Sequence, residues 1–76
     1  MKWIEEDMLL VREFVFKNFK SAIDFVNKIA KISEKFGHHP NILVYDYNKV
    51  RVTLTTHSEG KITEKDRELA REIDKL

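Results

Sequence analysis

The segment Gly37-His38-His39-Pro40 limits the fold more than any other part of this sequence. It carries the chain's single proline and one of its two glycines, directly after an apolar stretch with helical spacing. Glycine supplies the left-handed residue that ends a helix, and proline cannot continue one because its nitrogen has no hydrogen to donate. The helix before Gly37 must therefore stop there. His38 and His39 leave it in an irregular segment that leads into a new run of β-branched residues.

That boundary divides the chain into two similar layouts. Before it, Lys2–Glu6 and Met8–Phe16 read as strands joined by a turn at Glu5-Glu6-Asp7, with Leu10, Arg12, Phe14 and Phe16 on one face and Leu9, Val11, Glu13 and Val15 on the other. Ser21 is then expected to open a helix, with Asp24 three residues on as a capping partner. Its apolar stripe is Ala22, Phe25, Val26, Ile29, Ser33 and Phe36. After the boundary, 41–46 and 49–56 predict a hairpin about Tyr47-Asn48, with Val50, Val52 and Leu54 on one side. Thr63 opens a final helix whose inner face is Leu69, Ala70, Ile73 and Leu76, with Asp66 at the capping-box position. The order ββαββα points to an α+β fold of two layers: a four-stranded antiparallel sheet with both helices on one face.

At 76 residues the chain reads as one domain, 1–76. A domain of this size buries only about 60% of its unfolded surface. The sequence has no cysteine, so neither a disulfide nor a thiolate metal site can add to its core. Both faces of the first long strand and of Ile42-Leu43-Val44-Tyr45 are apolar, and two helices cover only one side. A homodimer or homotetramer is expected to cover the rest. Fourteen basic against 13 acidic side chains are interspersed along the chain at a net charge of +1, without the basic stripe of a nucleic-acid binder. No apolar run approaches the roughly 18 residues of a membrane span, and the N-terminus lacks a signal-peptide pattern, so a cytoplasmic protein is expected.

All three histidines of the chain, His38, His39 and His57, fall at the helix exit and at the end of the second hairpin, which can be neighbours in a two-layer fold. Three readings compete. They can be ordinary surface residues. They can be metal ligands, although adjacent residues in an extended segment diverge and no HExxH-type spacing occurs. They can be acid–base groups acting on a small molecule, since imidazole titrates near neutrality and two of them can hold opposite protonation states. The sequence holds no nucleophile elbow and no phosphate-binding glycine loop. Glu34, four residues before His38, reads equally as a solvated helix residue or as a ligand-facing carboxylate. Asp66 reads first as a helix cap and second as an active-site edge.

Taken together, Glu34-x-x-x-His38-His39-Pro40, Tyr47-Asn48-Lys49-Val50, Thr55-Thr56-His57 and Thr63-Glu64-x-Asp66 resemble the signature of the pterin-4a-carbinolamine dehydratases. Trp3, Arg12, Phe14 and Phe16 resemble the family's first hairpin, so the likeness covers nearly the whole chain. The resemblance implies dehydration of a 4a-hydroxytetrahydropterin to a quinonoid dihydropterin, without metal or organic cofactor. It implies His38, His39 and His57 as catalytic imidazoles. It also implies Glu34 at the pterin's amino-pyrimidine edge, with Pro40, Thr56, Ser58, Glu59 and Asp66 as further substrate-binding positions. Two alternatives accompany it: a non-catalytic dimerisation or interaction module on the same fold, and a dehydratase for another pterin, such as one of molybdenum-cofactor metabolism.

Overall fold

A computed structural model describes residues 2–76. Its elements follow the expected order: β1 (Ile4–Glu6), β2 (Leu9–Val15), α1 (Phe19–Phe36), β3 (Asn41–Tyr45), β4 (Lys49–Leu54) and α2 (Glu64–Asp74). The four strands form one antiparallel sheet in the order β1-β2-β4-β3. The long central pair, β2 with β4, runs in register from Leu10↔Leu54 to Val15↔Lys49. Leu10 and Phe14 of β2, Val50, Val52 and Leu54 of β4, and Ile42 and Val44 of β3 turn toward the helices. Ala22, Phe25 and Ile29 of α1 and Leu69, Ala70 and Ile73 of α2 complete this core. Phe25 packs between Phe14 and Phe16, with ring centroids 4.7 and 4.9 Å away. Among the described residues no helix is long and apolar enough to cross a membrane.

Both turns sit earlier or later than the sequence suggested, and for one reason. A tight hairpin needs positive φ at its central residues so that its twist matches that of the strands. In the first hairpin Asp7 and Met8 take those angles (51° and 67°), so the turn is Asp7-Met8 and β1 starts at Ile4. In the second, Asp46 and Tyr47 do so (48° and 52°). Asn48 then closes the loop, its side-chain amide donating to the Phe16 carbonyl at 2.9 Å.

Helix α1 begins two residues before Ser21. Asn18 is its N-cap, and the Asn18 side chain accepts the Ser21 amide at 2.8 Å, satisfying a donor of the first turn. Asp24, expected as a cap partner, instead accepts from Lys20 on the preceding turn at 3.0 Å. Phe36, the last residue of α1, and Leu76, two residues beyond the end of α2, are exposed and lie outside the buried core, unlike the inner-face places expected of them, because the helix ends project past the sheet. The far end of α2 is tied to the first hairpin: Asp74 accepts from the Trp3 indole at 2.9 Å and from Arg12 at 2.6 Å. On the sheet's other face Ile4, Val15 and Leu43 are exposed, around a polar patch in which Tyr45 donates to Glu13.

Candidate active site

Gly37 sets the position of His38. It adopts φ 64°, its amide donates to the Glu34 carbonyl, and the His38 amide donates back to the Ser33 carbonyl at 3.2 Å. This is a Schellman close, in which two of the carbonyls freed by the helix end are satisfied by the two residues that follow it. The second of those residues usually carries an apolar side chain folded back on the helix. Here that position holds an imidazole, and only 14% of its side chain is exposed.

The imidazole meets α2. His38 Nε2 lies 2.5 Å from Asp66 Oδ1, and Asp66 is fully buried. The other carboxylate oxygen, Oδ2, accepts the Thr56 hydroxyl and the Thr63 amide, both at 2.8 Å. Burial alone would push the Asp66 carboxyl up. The hydrogen bonds from His38, from the Thr63 amide and from the Thr56 hydroxyl outweigh it and hold the group below its ordinary value. Asp66 is therefore ionised at neutral pH and can only accept. His38 must then present N–H at Nε2, which leaves Nδ1 as the ring atom able to exchange a proton with a substrate.

Thr56 brings in the third histidine. Beyond β4 the chain forms an isolated antiparallel bridge, Thr56 with Lys61, and turns back through residues 57–60, where the Gly60 amide donates to the Thr56 carbonyl at 2.9 Å. His57 is the next residue after Thr56, so its Cα lies about 3.8 Å from that of a residue bonded to Asp66. His57 is exposed. Thr56, Ser58 and Glu59, all expected at the site, line an open cavity of about 280 Å³ together with Thr63, Glu64 and Lys65.

His39 belongs to a second, looser pair. Its Nε2 lies 2.5 Å from Glu34 Oε2, with both side chains mostly in water. Pro40 separates this pair from β3 and is half-buried. Hence His38, Thr56 and Asp66 form one bonded cluster, His57 adjoins it through the chain, and His39 with Glu34 stands at its rim. Asp66 has no exposed surface, and both of its oxygens are engaged within the protein. Among the described residues no three His, Cys, Asp or Glu side chains converge as a metal centre would require. Thr63 was read as a helix cap and as part of the family-like motif, without a role in the site, and its hydroxyl, 2.7 Å from that of Thr56, is a further member of the cluster.

The family model described as pterin 4 alpha carbinolamine dehydratase matches residues 1–76. The chain belongs to this family. A Sulfolobus acidocaldarius protein provisionally named pterin-4-alpha-carbinolamine dehydratase is 49% identical over 97% of the chain and 80% of its own length. One from a Picosynechococcus strain, named likewise, is also 49% identical, over 99% of the chain and 80% of its own length. Among solved structures, a transcriptional coactivator/pterin dehydratase from Brucella melitensis superposes with a TM-score of 0.86 at 38% identity, covering 97% of this chain and 78% of that one. A pterin dehydratase-like protein identified as a RuBisCO assembly factor in the alpha-carboxysome superposes at 0.80 with 27% identity, covering 99% and 88%.

Proposed function

We propose that this protein dehydrates a 4a-hydroxytetrahydropterin to the quinonoid dihydropterin by histidine acid–base catalysis, in the cytoplasm and without a cofactor. The observation that carries the reading is the His38–Asp66–Thr56 cluster. A buried, ionised carboxylate holds one imidazole in a single tautomer beside the chain segment that bears His57. The reaction needs two proton transfers. One group delivers a proton to the hydroxyl leaving the 4a carbon, which departs as water. Another takes the proton from the adjacent ring nitrogen as the carbon–nitrogen double bond forms.

His38 Nδ1 and the His57 ring are assigned to these transfers, with His39 as the third imidazole at the rim. Glu34 is assigned to the amino-pyrimidine edge, where a carboxylate can accept two N–H bonds. Pro40 and the Thr56–Glu59 turn form the walls. Asp66 serves the reaction by holding His38. Replacing His38 or His57 by Ala should lower turnover of synthetic 4a-hydroxytetrahydropterin by roughly 10²-fold or more, the scale of general acid–base catalysis. Full activity in either variant would remove that residue from the mechanism.

A second reading, an interaction module on the same fold, draws on the exposed Ile4, Val15 and Leu43 of the uncovered sheet face and on the neighbour identified as an assembly factor. Turnover by the wild-type chain separates the two. The same exposed face and the free edges of β1 and β3 support a homodimer or homotetramer. Its unfolding midpoint should rise with protein concentration, and a concentration-independent midpoint would exclude it.

A further inference from the structure

The hydroxyls of Thr63 and Thr56 form a chain whose direction can be worked out. Thr56 Oγ1 carries one proton and lies 2.8 Å from Asp66 Oδ2. That oxygen belongs to an ionised carboxylate, so the Thr56 proton must go to it. The 2.7 Å contact between Thr56 Oγ1 and Thr63 Oγ1 then has one donor left, and it is Thr63. Donation therefore runs Thr63 to Thr56 to Asp66, and from the opposite side His38 donates to the same carboxylate.

Thr63 is also the N-cap of α2 and forms a capping box with Asp66. A cap uses the oxygen of that hydroxyl as acceptor, so its proton is not needed by the helix. The cap gives no reason for the hydroxyl to point at Thr56. What the contact does is orient Thr56 in a buried site, where a hydroxyl turned away would leave Oδ2 with the Thr63 amide alone.

We propose that Thr63 is a positioning residue for His38: its hydroxyl, donating through Thr56, fixes the Asp66 carboxylate so that His38 is kept with its proton on Nε2 and Nδ1 open to substrate. Two donors on Oδ2 anchor one side of the carboxylate and present Oδ1 to the imidazole. The same contacts hold Thr56, and with it the chain segment that carries His57. The kinetic part of this inference rests on the dehydratase reading, whereas the structural part concerns the tautomer of His38 alone.

Three variants test it. Thr63→Gly removes the hydroxyl while leaving a residue acceptable at an N-cap. Thr63→Ser keeps the hydroxyl, and Thr56→Val breaks the relay at its next link while leaving the cap residue Thr63 in place. Each is assayed with synthetic 4a-hydroxytetrahydropterin and by long-range nitrogen–proton NMR of the His38 ring, which distinguishes the two tautomers. Thr63→Gly and Thr56→Val should each lower kcat roughly tenfold, the scale on which outer partners of a working histidine act, and Thr63→Gly should leave KM within about twofold. Both should weaken the Nε2–H pattern so that the Nδ1–H form appears beside it, and Thr63→Ser should retain the wild-type pattern together with activity. A wild-type pattern and kcat in Thr63→Gly would overturn the proposal, and so would a Thr63→Ser variant as impaired as Thr63→Gly. Should Thr63→Gly fail to fold, Thr56→Val decides by the same two measurements. If the wild-type chain does not turn over the pterin, the dehydratase reading fails, and the NMR pattern alone settles the relay.

Discussion

His38 and His39 are neighbours in the chain, and each places Nε2 2.5 Å from a carboxylate oxygen. The pairs differ in everything else. Asp66 is fully buried, bonded to three groups and part of a helix cap, whereas Glu34 and His39 are mostly exposed. In water a close ion pair gains little, because the solvent screens it and the side chains lose freedom to form it. In the interior an ionised group must be satisfied, and removing a partner leaves the remainder uncompensated. Equal distances therefore describe a structural and chemical anchor in one case and an adaptable rim contact in the other.

The strongest way to break this contrast is to remove Asp66. Asp66→Ala should cost roughly 3 kcal/mol in denaturant unfolding, since it unpairs His38 and Thr56 and opens the α2 cap at once. Under the proposed function turnover should also fall by about 10²-fold or more, because His38 loses its fixed tautomer. A loss below about 1 kcal/mol would put the buried pair in the same class as the exposed one.

Acid should tell the pairs apart as well. The Asp66 carboxyl lies below its ordinary value in the folded protein, so the unfolded chain binds that proton more readily. Its contribution is present in full above the unfolded value of about 4 and is lost as pH falls through the folded one. Unfolding followed from pH 6 downward should show a steeper loss of stability for the wild type than for Asp66→Asn. Parallel curves would refute the assignment.

Glu34 offers a smaller and different effect. Under the proposed function Glu34→Gln should raise KM roughly tenfold, by weakening a charge-assisted hydrogen bond, with kcat and the unfolding midpoint nearly unchanged. A fall in kcat alone would mean that Glu34 acts through His39 rather than on the pterin. The smallest effect expected is on the helix exit that separates the two histidines. Gly37→Ala places a Cβ at φ 64° in open space, so only backbone strain opposes it, at about 1 kcal/mol. Under the proposed function it should be felt first as a loss of turnover, because the His38 backbone is hung on that turn.

Periodicity and punctuation were enough to read the element order, the inward faces of β2 and β4, and the end of α1 at Gly37. These are local properties, since alternation, helical spacing and a left-handed residue are written in consecutive positions. The turns were read less well. Positive φ fell on Asp7-Met8 and Asp46-Tyr47, where strand register outweighed the residues' own preferences. For the site, the three histidines, Glu34 and Asp66 were visible as a spaced pattern, and Thr63-x-x-Asp66 as a cap. That the cap's carboxylate also binds His38, 28 residues earlier in the chain, could not be read from any local pattern. Tertiary packing decided it: placing the start of α2 against the end of α1 buried one carboxylate among donors and left the other in water. Burial is a property of the whole fold, and burial is what makes one of two equal contacts matter.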